Sequence, residues 1–73
     1  MKLTAQTFEH VGVELFGPHW INPMSEALDV NRRTVERWAN EEFTIPPNVF
    51  NELADLCEAH GKDLVKLAKE LRR

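Results

Sequence analysis

Every apolar stripe in this chain recurs at intervals of three and four residues and none alternates at two, which specifies amphipathic helices and leaves no material for a sheet. Phe8, Val11 and Leu15 share one helical face in residues 5–16. Phe50, Leu53, Ala54 and Cys57 do so in residues 47–60, and Leu64, Leu67, Ala68 and Leu71 in residues 64–73. The helix breakers set the boundaries. Thr4 is a cap for the first segment and Gly17-Pro18 stops it. Asn22 before Pro23 is a cap followed by a residue pre-set for a first helical position, so a short second helix runs to Leu28. Asn31 caps a third, from Arg32 to about Asn40. "EEFTIPP" is a loop, because the second proline forces its predecessor out of the helical region. Gly61 then ends a fourth helix and Asp63 caps a fifth. The expectation is one all-α domain of five helices spanning residues 1–73.

A domain of 73 residues buries only roughly 60–65% of the surface its unfolded chain exposes, so its stability margin is small. The single cysteine, Cys57, excludes an internal disulfide and any cysteine-pair zinc knuckle. Association with a second copy is the natural supplement, and the stripe Leu64, Leu67, Ala68 and Leu71 exceeds what five short helices bury internally. It is the expected dimer interface, with the fourth helix as the competing surface. No apolar run approaches the roughly 20 residues that cross a bilayer, and "MKLTAQTFEH" lacks the apolar region of a signal peptide. A cytoplasmic protein is expected. Cys57 and His60 lie three apart, but a metal site needs further ligands at fixed spacing, and His10 and His19 are not placed to supply them. No nucleophile, base and orienting group can be read from the spacing. Neither enzymatic activity nor a cofactor, metal or small-molecule ligand is expected.

The charge is unevenly distributed. The chain carries a net −3 and has a pI near 5.5, all of the excess lying in residues 1–30. Yet "DVNRRTVERWANEEF" gathers Arg32, Arg33 and Arg37 within six positions. An acidic pI counts against nucleic-acid binding, whose usual footprint is basic, although local potential at a docking face matters more than the net value. The apolar spacing assigns the arginines a face. Met24 and Leu28 point inward from the second helix, Val30 from the turn, and Val35 and Trp38 from the third. Ser25 supplies the small residue needed where two short helices touch. Arg32, Arg33, Glu36, Arg37 and Asn40 fall on the opposite side. Arginine and asparagine offer forked donors that match guanine O6/N7 or adenine N6/N7, and this face carries no lysine. The bland alternative is a solvated helix face balanced by Glu36.

Residues 20–38, "WINPMSEALDVNRRTVERW", together with the downstream "TIPP" and fourth helix, resemble the helix-turn-helix of the lambda-repressor-like, Cro-like (Xre-type) group of phage and bacterial regulators. The likeness spans about residues 5–60. It implies a compact five-helix domain in which residues 21–40 form the helix-turn-helix and the third helix reads the major groove of double-stranded DNA through Asn31, Arg32, Arg33, Thr34, Glu36, Arg37 and Asn40. A homodimer on a palindromic operator, repressing transcription of a short phage or mobile-element operon, is the function it suggests. The chain departs from the group's pattern twice. Asp29 occupies the turn position usually held by glycine, at a strain of about 1 kcal/mol. Ile21 stands where the group often places a phosphate-docking glutamine, so phosphate contact there falls to backbone N–H groups or Asn22.

Several side chains have two readings. Glu36 accepts from cytosine N4, or pairs with Arg32 or Arg33 and orients the guanidinium. Trp38 is core by its spacing from Val35. Trp20 closes the core beside the first helix, or sits at the DNA backbone with its indole N–H free. Thr44 and Asn48 flank the start of the fourth helix, where they meet phosphate or simply cap. The whole chain has a second reading as well, a protein-interaction module such as an antitoxin or phage inhibitor, whose arginines pair with carboxylates.

Overall fold

A computed structural model describes residues 4–72. Four helices account for the regular structure, with no strand among the described residues: α1 (Ala5–Phe16), α2 (Ile21–Leu28), α3 (Arg32–Ala39) and α4 (Asn48–Leu71). The all-α expectation holds; the fifth helix does not. α1 begins where Thr4 accepts a hydrogen bond from the Thr7 N–H at 3.1 Å and ends at Gly17, whose φ of 84° only glycine adopts without strain. α3 begins at Asn31, whose side chain accepts from the Arg33 N–H at 2.8 Å.

The start of α2 lies earlier than the Asn22-Pro23 pair suggested. The Met24 N–H already donates to the Trp20 carbonyl at 2.9 Å, and Trp20 is itself in helical conformation with no side-chain cap. Pro23 falls at the third helical position, still within the first turn, where the proline's missing N–H costs no bond. Asn22 is therefore a first-turn residue, not the cap, and its carbonyl accepts from the Ser25 hydroxyl at 2.7 Å.

α1 lies against all three other helices, and α2 against α3. Phe8 is the hub of the core. It is fully buried and meets Trp20 edge-on at 5.4 Å and Trp38 edge-on at 5.8 Å between ring centroids. Met24, Leu28 and Val35 complete the contact between α2 and α3, with Val30 partly buried at the turn, and Ser25 is buried at the crossing. Of the two readings of Trp20, the core is correct. Gly12, also buried, makes room for it: a Cβ there would collide with Cε3 and Cδ2 of the indole.

α2 and α3 close in the same way. Asp29 takes the left-handed conformation (φ 54°), its N–H donating to Glu26 and the next N–H, of Val30, to Ser25. Glu41 does so after α3 (φ 62°), its N–H donating to Trp38 and that of Glu42 to Arg37. Such paired bonds around a left-handed residue normally use glycine, so each closure carries about 1 kcal/mol of strain.

After this closure Ile45 turns into the core and the chain enters α4 through Pro46 and Pro47. α4 corrects the sequence reading twice. Its buried face is Val49 and Leu53, with Leu56 partly buried, whereas Phe50 is only half-buried and Ala54 and Cys57 are exposed. Val49, not its neighbour Phe50, is the buried residue, four positions after the buried Ile45. Gly61 also does not end the helix, and Asp63 lies inside it, not at a cap. Interior glycine costs about 1 kcal/mol against alanine, a penalty that an established helix flanked by good formers such as Ala59, Lys62 and Leu64 offsets. Side-chain pairing helps: Glu58 lies four residues ahead of Lys62, the favourable i, i+4 order, and Lys69 stands in the last turn. At about 1.5 Å per residue α4 is roughly 36 Å long, and its distal half extends the molecule to 48 × 25 × 20 Å.

Candidate nucleic-acid interface

The exposed side of α3 is divided into two edges by what holds each arginine. Arg32 donates from Nε to Glu36 Oε1 at 2.9 Å, an i, i+4 pair with both side chains substantially exposed. Such a pair adds little stability. What it does is orient and neutralise Arg32, and it is the pairing role of Glu36 that the structure shows. On the other edge Arg33 and Arg37, four residues apart, have no carboxylate within ion-pair distance among the described residues. They line one surface depression with Asn31 and Thr34. Its walls are chiefly polar, and two guanidinium groups with no described carboxylate partner make it a locally positive patch on an acidic molecule; Lys62, Lys66 and Lys69 form another along the distal half of α4.

Local structure explains the clustering. Asn31 is committed to the cap, holding the first turn of α3 so that Arg33 and Thr34 emerge beside it and Arg37 one turn later. Val35 and Trp38 are buried on the opposite face, the tryptophan only 6% exposed, which locks the rotation of α3 about its axis. Asn40 is the exposed residue that ends α3, with its N–H donating to Glu36. Asn22, exposed on α2, and Thr44, exposed in the loop after α3, do not join the depression. Thr44 lines a separate hollow with Thr4, Trp38, Glu41, Glu42 and Phe43.

One neighbour of this face escaped the sequence reading. The Arg37 guanidinium carbon lies 5.3 Å from the centroid of the Phe43 ring. No periodicity links residues 37 and 43, since a helix end intervenes; the only available signal was a large aromatic directly between the polar residues Glu42 and Thr44.

Beyond the body, Leu64, Leu67 and Leu71 are 53%, 53% and 83% exposed and Ala68 is half-buried. Val65, which the stripe omitted, is equally bare. The side of α4 that packs as Val49, Leu53 and Leu56 continues at helical spacing into Leu64, Leu67 and Leu71, so the leucines extend the core face past the end of the core. Cys57 and His60 are both exposed, and no group of three His, Cys, Asp or Glu side chains converges on a metal-sized site among the described residues. No helix among them is long and apolar enough to cross a membrane.

Comparison of the chain with family models, with curated protein sequences and with solved structures finds no match.

Proposed function

We propose that this chain is a sequence-specific DNA-binding protein of the lambda-repressor-like, Cro-like kind, acting as a transcriptional repressor on a palindromic operator as a homodimer. In this reading α2, the turn at Asp29 and α3 form a helix-turn-helix, and α3 is the helix that enters the major groove. The observation that carries it is the depression of Asn31, Arg33, Thr34 and Arg37 on the first turns of α3, with both arginines unpaired by any described carboxylate. Arg33 and Arg37 read base edges, and Arg32, already oriented by Glu36, lies nearer the phosphates with Asn22, Asn40 and Thr44. The bare leucines of α4 supply the twofold contact, since self-complementary association is the commonest solution for a small homo-oligomer. Control of its own short operon, in a phage or mobile element, follows from the same reading.

The net charge of −3 favours a second reading, in which the same arginines bind carboxylates on a protein partner and the chain acts as an antitoxin or phage inhibitor. A selection from a randomised duplex pool, followed by a gel shift on the enriched sequence and its scrambled version, separates the two. Enrichment of a palindrome supports the repressor; the absence of any enriched sequence transfers the face to a protein partner.

A further inference from the structure

We infer that Phe43 is a positioning residue for Arg37, fixing the guanidinium for base recognition without neutralising it; this rests on the DNA-binding reading above. The three arginines of α3 are not equivalent. Arg32 is held by a carboxylate, which consumes a donor and cancels the charge. Arg37 is held by an aromatic ring at 5.3 Å, which engages the cation through the π face and adds no negative charge. A long flexible side chain that must meet a base edge bidentately loses rotamer freedom on binding, and a partner that restrains it beforehand reduces that loss.

Phe43 is itself held in place, which separates it from a loose loop aromatic. Its backbone is tethered on both sides. The preceding residue, Glu42, donates its N–H to the Arg37 carbonyl at 2.9 Å, and Ile45 is buried in the core two residues later. The bond from Glu42 therefore ties the loop to Arg37 itself, so the residue that carries the guanidinium and the residue that carries the ring move together. The left-handed Glu41 makes this closure possible at a cost in backbone strain, and strain of this kind gathers where a structure must hold a side chain in a particular place. The ring is 57% exposed, so the core does not need it. An apolar side chain in the sequence Glu41, Glu42, Phe43, Thr44 has the guanidinium as its one described aromatic or cationic partner.

The test compares the full chain with Phe43→Leu, Phe43→Tyr, Arg37→Ala and the double variant Phe43→Leu/Arg37→Ala, on the duplex enriched by the parent from the randomised pool and on its scrambled version. Proton chemical shifts of the Arg37 side chain report the ring contact in the absence of DNA. The expected result is a ring-current shift of Arg37 in the parent and in Phe43→Tyr that disappears in Phe43→Leu. With it, the preference of Phe43→Leu for the enriched duplex falls about three-fold, the order expected of one exposed cation–π contact, while Phe43→Tyr keeps the parent's preference. In the Phe43→Leu background, Arg37→Ala then costs less than in the parent, because the two side chains act together. Equal costs of Arg37→Ala in both backgrounds, with the enriched duplex still preferred, overturn the positioning role and leave the DNA-binding reading standing. Failure of any duplex to enrich overturns the reading on which it rests. Because Phe43 is exposed, matching thermal melts of parent and Phe43→Leu are expected, and a loss of several degrees assigns the ring to folding instead.

Discussion

Replacing Gly61 by alanine discriminates between one long C-terminal helix and two short ones, because the two arrangements give opposite signs. Were Gly61 a left-handed residue ending a helix, a Cβ would strain it by about 1 kcal/mol or more. Within the continuous α4, nothing lies within 4 Å of the position a Cβ would occupy, so the substitution meets open space. Alanine then gains the full helix-propensity difference of about 0.8–1 kcal/mol. That gain does not act on global unfolding. The distal half of α4 carries Leu64, Leu67 and Leu71 more than half exposed, so its fraying is largely uncoupled from melting of the core. In the Leu67→Glu background, which the α4 interface predicts to be monomeric and in which parent and Gly61→Ala are compared, about 1 kcal/mol in the local equilibrium is roughly a five-fold change. Amide hydrogen exchange should show protection rising by about that factor for residues following position 61, with a thermal midpoint close to the parent's. Gly12→Ala is the contrast. The same propensity gain is available on α1, yet the Cβ meets the Trp20 ring, and overpacking of a rigid core commonly costs about 1–3 kcal/mol. Gly12→Ala should lower the midpoint by several degrees at least. Faster exchange beyond position 61 in Gly61→Ala would refute the continuous helix.

Trp38→Ala removes a buried indole that borders Phe8 and should lose about 3–5 kcal/mol, enough to leave a domain this size unfolded or molten near 37 °C; a cooperative melt within a few degrees of the parent would show that the ring is not needed by the core. In fluorescence-anisotropy titrations at two salt concentrations, Arg33→Ala and Arg37→Ala should each weaken binding to the enriched duplex by about 1–3 kcal/mol and leave binding to scrambled duplex nearly unchanged. Arg32→Ala should weaken both and flatten the salt dependence; parent-like binding by the first two variants would remove α3 from DNA recognition. Sedimentation should find a dimer, with a palindromic site whose half-sites lie about 34 Å apart, and Leu67→Glu should dissociate it; a monomer at tens of micromolar, both free and on DNA, would reject the α4 interface.

Much of the architecture was legible in the residue order because it depends on local chemistry. Thr4 and Asn31 could be identified as caps since a short oxygen-bearing side chain needs only the adjoining N–H groups, and the bounds of α1 followed from Gly17-Pro18. The inward set Met24, Leu28, Val35 and Trp38 followed from helical spacing, as did the outward arginine face; Asp29 as the left-handed turn residue came from the resemblance to the Cro-like helix-turn-helix and not from local chemistry.

What needed the tertiary structure were choices between local options of similar cost. Gly61 is compatible with a helix end or a helix interior, and only continuation along a helix already formed, with no neighbour to exploit a turn, decided for the interior. Val49 and Phe50 are adjacent apolar residues that local spacing does not rank, and packing of α4 on the body buries the first. Nothing in the local sequence marks Gly12 as a contact residue; only the packing of the Trp20 ring against it does. The meeting of Arg37 with Phe43 depends on a left-handed Glu41, a conformation that no glycine announces and that is fixed by the helix end and the buried Ile45 on either side of it. Periodicity determines which face a side chain takes; which neighbour it meets there is set by packing between segments, whose energies local spacing does not contain.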